Sequence, residues 1–271
     1  MVVTQASPRP LNPPKPLSAA PTTASATPEN ITLLPCTKGD LYRIAHLEHL
    51  AFEHDEFSDL AFGRERGSEE ALRIRAEQLG KFLDRDRGKE VCWYVKAVIE
   101  GEIVGVAGWS LGGGEEEKRR EDALVGEKKE GSDVPEVKTK EELEKIWGKG
   151  SNFKLCEDVF VRGDEYISSA CGKEKWLKLN ILIIQPTHQR LGIGTHLLQQ
   201  GLALADERRL QVVLGASPWG IGLYRKHGFE EVHCMDIRLD RYEGGEGMGR
   251  TTHVIMRRPP VAKAKWGEDE K

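Results

Sequence analysis

Apolar side chains recur along this chain in two rhythms. Between residues 41 and 83 they return every three to four positions. Leu41, Ile44, Leu47 and Ala51, with Glu48 at the same spacing, predict a helix. It starts near Thr37 and Asp40, whose side chains suit the free N–H groups of a first turn. Leu72, Ala76, Leu79 and Leu83 predict a second helix, opened by Ser68 with Glu69 and Glu70 in its first turn. Elsewhere the rhythm is that of strands. Ile31 to Leu34 reads as a short strand. Val91–Ile99 and Ile103–Leu111 read as a pair, with Glu100-Gly101 as the hairpin turn. From Trp176 the chain carries its most apolar run, Leu177, Leu179 and Ile181 to Ile184, which predicts a central strand covered on both faces. A helix follows over Gly192–Arg208, with Ile193, Leu197, Gly201, Leu204 and Ala205 turned inward. Then come a buried strand at Val212–Leu214 and a short helix over Gly220–His227 stopped by Gly228. Two last strands, Val232–Leu239 and Thr252–Arg257, are joined by the Gly-rich segment 243–249. The stretch 153–172 fits neither rhythm.

This order gives an α/β (α+β) fold, a mixed central sheet of about six to seven strands flanked by about four helices, in one domain over residues 30–260. Three segments stand apart. Residues 1–29 are rich in Pro, Ala, Ser and Thr and read as a disordered tail, because so few apolar groups cannot offset the entropy of ordering. Residues 112–150 form a charged insertion dense in Glu, Lys and Arg, in which Glu141–Trp147 has the makings of a short helix. Residues 261–271 are a polar tail.

Composition narrows the function. With 31% charged residues and a net charge of -4, the chain is not built to grip nucleic acid over a broad face. Five cysteines, an odd number with no CxxC pair, argue against a zinc site, another metal centre or a disulfide framework. No apolar run reaches the roughly 18 residues of a membrane span, and no signal-peptide core is visible. The expected location is cytoplasmic or nuclear. A mitochondrial leader is the alternative, since residues 1–28 carry Arg9 and Lys15 and no acid. The expected state is a monomer or homodimer.

Candidate chemistry follows the central strand. Gln189-Arg190-Leu191-Gly192-Ile193-Gly194-Thr195 stands between that strand and a helix start. A helix start offers unpaired N–H groups and the positive end of the helix dipole, which suit phosphate, and glycine lets an anion approach the backbone. Arg190 is placed to add a cationic contact. A dinucleotide fingerprint would need glycine where Leu197 stands, and a Walker loop would need Gly-Lys-Ser/Thr. A glycine-rich helix start that only needs close packing is the other reading. About thirty residues on stands Leu223-Tyr224-Arg225-Lys226-His227-Gly228-Phe229.

Together, Gln189-x-x-Gly192-x-Gly194 and Leu223-Tyr224-x-x-x-Gly228-Phe229 resemble the GCN5-related N-acetyltransferase (GNAT) superfamily. The lead-in Ala216-Ser217-Pro218-x-Gly220, with Ala205-Asp206 in the preceding helix, resembles a branch of small fungal members. The resemblance covers residues 176–232 most firmly. It implies acetyl-CoA as co-substrate and direct transfer of its acetyl group to an amine. The acceptor would be a small molecule, with a protein lysine or N-terminus, or a catalytically silent CoA sensor, as alternatives. It implies that Gln189, Arg190, Leu191, Gly192, Ile193, Gly194 and Thr195 hold the pyrophosphate. Leu182, Ile183 and Ile184 would line the acetyl and pantetheine arm, one of their amides polarising the thioester carbonyl. Tyr224 would protonate the leaving thiolate; packing of its ring in the helix is its other reading. Ser217 stands where relatives often carry an asparagine that contacts the cofactor. The general base is open. Asn180 occupies the place of an acid in some relatives and cannot take a proton. Glu53, His54, Asp55 and Glu56 after the first helix, and Glu157 and Asp158, are candidates. His188 and His196 read as surface or packing residues.

Overall fold

The computed structural model describes residues 30–84, 92–113 and 139–261. The two tails and most of the charged insertion lie outside these residues. Seven strands form one sheet: β1 (Thr32–Pro35), β2 (Cys92–Ile99), β3 (Glu102–Gly112), β4 (Trp176–Ile184), β5 (Gln211–Ala216), β6 (Glu230–Arg238) and β7 (Arg250–Arg258). Their spatial order is β1-β2-β3-β4-β5-β7-β6. Only β4 and β5 run parallel; every other neighbouring pair is antiparallel. The β2–β3 turn is as expected: Glu100 and Gly101 both take positive φ, 51° and 84°, the twist a two-residue hairpin needs.

Helices cover both faces. On one face lie α1 (Leu41–Ala51) and α3 (Glu69–Asp84), whose stripes of Leu41, Ile44, Leu47, Leu72 and Leu79 pack on Tyr94, Val106 and Ile183. The start of α1 is held to the sheet, since the Asp40 carboxylate accepts from the Thr37 N–H at 2.7 Å and from Lys96 at 2.7 Å. On the other face lies α6 (Ile193–Arg208), with Ile193, Leu197, Leu198, Leu202 and Ala205 against Trp109, Leu177, Leu179 and Leu214. Leu202 takes the inward place expected of Leu204, which is only half-buried. The short α7 (Ile221–Lys226) brings Tyr224 and Leu223 to the same side. Arg258 at the end of β7 grips Asp206 of α6 through two bonds of 2.6 and 3.0 Å.

The expectation of about four helices falls short. Three more helical elements appear among the described residues. The first is α2 (Glu56–Phe62), capped by Asp55, whose carboxylate accepts from the Ser58 N–H at 2.9 Å. The second is α4 (Lys140–Trp147), the short helix that Glu141–Trp147 suggested at the end of the charged insertion, opened by a Thr139–Glu142 capping box. The third is a continuous helical run through the stretch without rhythm. Phe153–Cys156 passes through a π-helical turn, Glu157–Val161, into Arg162–Cys171, and we label the run α5. A π turn inserts an extra residue, so the apolar spacing of 3.6 breaks and the sequence signal is lost.

Gly201 shows how tightly α6 meets the sheet. A Cβ at this position would stand 2.1 Å from the indole of Trp109, the largest fully buried side chain. Gly201→Ala is expected to destabilise the fold by about 1–3 kcal/mol through overpacking. Chemical denaturation should show a lower midpoint with an unchanged slope.

Candidate active site

β4 and β5 pair over only four positions, from Trp176↔Gln211 to Leu179↔Leu214. Beyond them the strands part. β4 bulges at Asn180, since Gly108 and Trp109 on β3 face Ile181 and Leu179 with Asn180 left between. β5 meanwhile stays paired to β7 as far as Ala216↔Val254. From Asn180 to Ile184 the β5-facing edge of β4 therefore lacks a strand partner, and apart from the Ile184 carbonyl its backbone groups on that side are open to a ligand.

The gap opens into a cavity of about 690 Å³. Its walls come from both faces of the sheet. Ile181 belongs to the α1–α3 side, whereas Leu182 and Tyr224 belong to the α6 side. The cavity thus runs through the sheet where β4 and β5 separate. Gly215, Ser217 and Pro218 form the β5 lip; α1, α2, the start of α3, the end of α4 and the turn of α5 form the far wall.

At the end of β4 the chain turns through Pro186–His188 into α6. Arg190 (φ 66°) and Gly192 (φ 81°) are left-handed, with Leu191 between them outside that region. Such an alternation curves the backbone into a concave row of N–H groups. The first intrahelical bond runs from the His196 N–H to the Gly192 carbonyl at 3.1 Å, which leaves the N–H groups of Ile193, Gly194 and Thr195 without an intrahelical acceptor. Gln189 ties the turn to β4 by donating to the Ile184 carbonyl at 3.2 Å. Gln189, Arg190 and Gly192 are exposed. A Cβ on Gly194 would meet only Leu223 at 3.5 Å and Ile184 at 3.8 Å, ordinary contacts. The protein's own packing does not demand glycine there, so a cradle kept open for an anion fits better than a close-packed helix start.

The expected site residues fall into three groups. Gln189 to Thr195, expected to hold the pyrophosphate, form the turn and helix start just beyond the wall of the cavity. Leu182, Ser217 and Tyr224 border the cavity itself. Ile183 and Ile184 do not: the Ile183 side chain turns to the α1–α3 core, and Ile184 packs toward α6. They can contribute only main chain to the gap. Tyr224 is buried, its ring set edge-on to Phe229 at 5.7 Å. Burial pushes its phenol well above the ordinary range, so it stays a proton donor at neutral pH.

None of the expected bases has a free carboxylate in the cavity. Glu53, His54, Glu56 and Glu157 are exposed and outside it. Asp55 borders it, but caps α2. Asp158 accepts from Lys154 at 2.8 Å and from the Tyr242 hydroxyl at 3.2 Å. Asn180 borders the cavity and donates to the Ser110 hydroxyl at 2.8 Å. His196 turns Nδ1 to the Gly192 carbonyl at 3.0 Å, and His188 lies against Thr187 at 3.0 Å.

The residue that sequence reasoning missed is His253 on β7. It borders the cavity, and its Nε2 would lie 2.1 Å from a Cβ on Gly215, so the missing side chain at Gly215 lets the imidazole lie across β5. Loss of water around the ring, reinforced by the nearby Lys178 charge and opposed by Asp164, lowers its pKa to about 4. The imidazole is therefore neutral at pH 7 and able to accept a hydrogen bond. The signal in the sequence was slight: one histidine in an alternating strand.

These features combine a split sheet, a helix start with unpaired N–H groups and a buried tyrosine in the cavity wall. The matching family model is "Acetyltransferase (GNAT) domain", over residues 155–231. Among solved structures, the chain is similar to a Drosophila melanogaster polyamine N-acetyltransferase, with 13% identity and a TM-score of 0.53 over 85% of this chain and 100% of that one. It is similar to a mosquito arylalkylamine N-acetyltransferase-like 5b protein, with 18% identity and a TM-score of 0.53 over 85% and 100%. It is also similar to the Aedes aegypti arylalkylamine N-acetyltransferase 2, with 16% identity and a TM-score of 0.52 over 85% and 99%. The comparison with curated proteins gave no match. Residues 155–231 thus match the GNAT acetyltransferase domain, and the chain as a whole shares the fold of these solved structures.

The depressed pKa of His253 has a consequence for stability. Unfolded, the ring titrates near 6.5; folded, near 4. Between these values the unfolded chain holds a proton that the folded one does not, so stability falls as pH drops through this window. A difference of that size is worth roughly 3 kcal/mol once pH is below both values. In thermal melts, wild type should lose more stability between pH 6.5 and 4 than His253→Gln does.

Proposed function

We propose that this protein transfers the acetyl group of acetyl-CoA directly to the amine of a small molecule. One observation carries the reading: a cavity where the sheet splits, with buried Tyr224 and neutral His253 in its wall, and a helix start with unpaired N–H groups just beyond it. The open cradle at Gly194 fits a pyrophosphate. When bound, acetyl-CoA supplies an activated thioester carbonyl.

The chain's own groups have separable tasks. The N–H groups at the start of α6 receive the pyrophosphate charge, with Arg190 beside them. The unpartnered edge of β4 from Asn180 to Ile184 pairs with the amides of the pantetheine arm and holds the carbonyl oxygen by an N–H. His253 accepts a hydrogen bond from the acceptor N–H, which favours the uncharged amine in a place with little water. Tyr224 gives its proton to sulfur as the carbon–sulfur bond breaks and the carbon–nitrogen bond forms, while the proton shed by the nitrogen leaves through His253 to solvent, from which Tyr224 is reprotonated. No acyl-enzyme is needed: none of the five cysteines borders the cavity. The thiol of Cys156 is pushed up to about 12 by burial and donates to the Ala61 carbonyl at 3.2 Å.

A small acceptor is favoured over a protein tail because the acceptor side is walled by two segments that meet. Trp147, Gly148 and Lys149 at the end of α4, and Gly63 to Arg66 after α2, line its acceptor side. Gly63 and Gly150 approach so closely that a Cβ on Gly63 would stand 3.1 Å from the Gly150 carbonyl oxygen.

Acetyl-CoA and CoA, but not ATP, are expected to raise the melting temperature. At a hundred times Kd the gain is about 2.7 kcal/mol, or roughly 5–10 °C. Gly194→Glu should abolish that rise. Tyr224→Phe should keep it and lower kcat by roughly 10²- to 10⁴-fold, read by thiol release with an amine panel. Absence of any rise in wild type would remove the foundation of this reading.

A further inference from the structure

The acceptor wall is built from rings. Phe160 sits in the π turn of α5, and the extra residue of that turn aims it at the cavity. Around it stand Phe57 at 6.0 Å, Phe62 at 5.7 Å, Trp147 at 5.8 Å and His253 at 6.1 Å between ring centres. These rings come from α2, α4, α5 and β7, yet all border the cavity and none is fully buried. Such a cluster, left partly uncovered beside a reactive centre, offers flat apolar surface and ring edges to a ligand.

The charges of the same cavity point the same way. Glu48 is spent on Arg75 through two bonds of 2.7 and 2.9 Å. Asp55 is spent on Ser58, accepting from its N–H at 2.9 Å and from its hydroxyl at 2.6 Å. Arg66 is engaged by Asp59 and by the Phe52 carbonyl. The remaining charges on the cavity wall, Arg64, Glu65, Glu70 and Lys149, are exposed and of mixed sign. Among the described residues, the less exposed carboxylates of the wall are thus all paired, and the unpaired ones, Glu65 and Glu70, are solvated beside Arg64 and Lys149.

We infer that the acceptor is a monoamine carried on an aromatic ring by a short linker, its ring against Phe160 and Trp147 and its nitrogen at His253. The inference rests on the acetyl-transfer reading above and sets which amines that site selects. A linear polyamine would leave its second charge facing aromatic rings, and a short alkylamine would leave the rings uncovered. The path from ring to nitrogen is short because Phe160 and His253 are adjacent.

Steady-state kinetics with fixed acetyl-CoA and four probes decides it: 2-phenylethylamine, tryptamine, n-butylamine and spermidine. Wild type should favour the two ring amines over butylamine and spermidine in kcat/KM by about tenfold or more. Phe160→Leu should collapse the ratio of phenylethylamine to butylamine toward one, mainly through KM, while the thermal shift with acetyl-CoA persists. Trp147→Leu serves the same purpose should Phe160→Leu not fold. Equal or better turnover of spermidine or butylamine by wild type, or a ratio untouched in both variants, would overturn the inference while leaving acetyl transfer standing. Loss of the acetyl-CoA shift in wild type would overturn both.

Discussion

Everything distinctive in this molecule depends on the separation of two parallel strands. β4 and β5 share four register pairs and then diverge, because β4 bulges at Asn180 while β5 remains bound to β7. A sheet interior tolerates such a gap only if something else satisfies the exposed backbone, since unpaired buried amides and carbonyls are costly. Water or an amide-bearing ligand has to stand in for the lost strand. The helix that follows β4 delivers the cradle at the mouth of the gap, and the helix that follows β5 delivers Tyr224 to its wall. Ligand site and fold are therefore one feature.

The sheet and the turn from β4 into α6 were largely legible in the sequence. The run from Trp176 to Ile184, the turn with Gly192 and Gly194, and the helix behind it follow from apolar period and turn chemistry, which are local. The acceptor side was not legible, and the reasons are physical. The π turn in α5 disrupts the helical period, so Phe153–Cys171 gave no pattern. α2 has only seven residues, too short to reveal a stripe. The expected bases around Glu53 to Glu56 were chosen by nearness to α1, but helix capping and solvent claim them. His253 matters only through its crossing of Gly215, a contact between two strands that no local window can contain. The split between faces also escaped: Leu182, Ile183 and Ile184 were read as one lining, yet strand alternation sends Ile183 to the opposite core.

The charged insertion illustrates the limit of composition as a guide. Its density of Glu and Lys suggests a solvated loop. Its last residues, where Glu141–Trp147 had the makings of a short helix, fold as a capped helix, stack Trp147 on Phe160 at 5.8 Å and line the cavity. An amphipathic helix of eight residues does this with one aromatic anchor, because the neighbouring rings supply most of the apolar surface. The polar majority of the segment then faces outward, as a surface helix requires.

The sheet order has a consequence for how the protein is made. β7 lies between β5 and β6, so β5 keeps an open edge until residues 250–258 leave the ribosome. An apolar strand such as Gln211–Ala216, waiting beside unfilled hydrogen-bonding positions, is a site where nascent chains associate wrongly. The hairpin of β6 and β7 then docks as a unit, and Arg258 fastens it to Asp206. Synthesis halted just short of that arginine would leave a molecule with its cradle sequence intact but no frame to hold the two parted strands at their working distance.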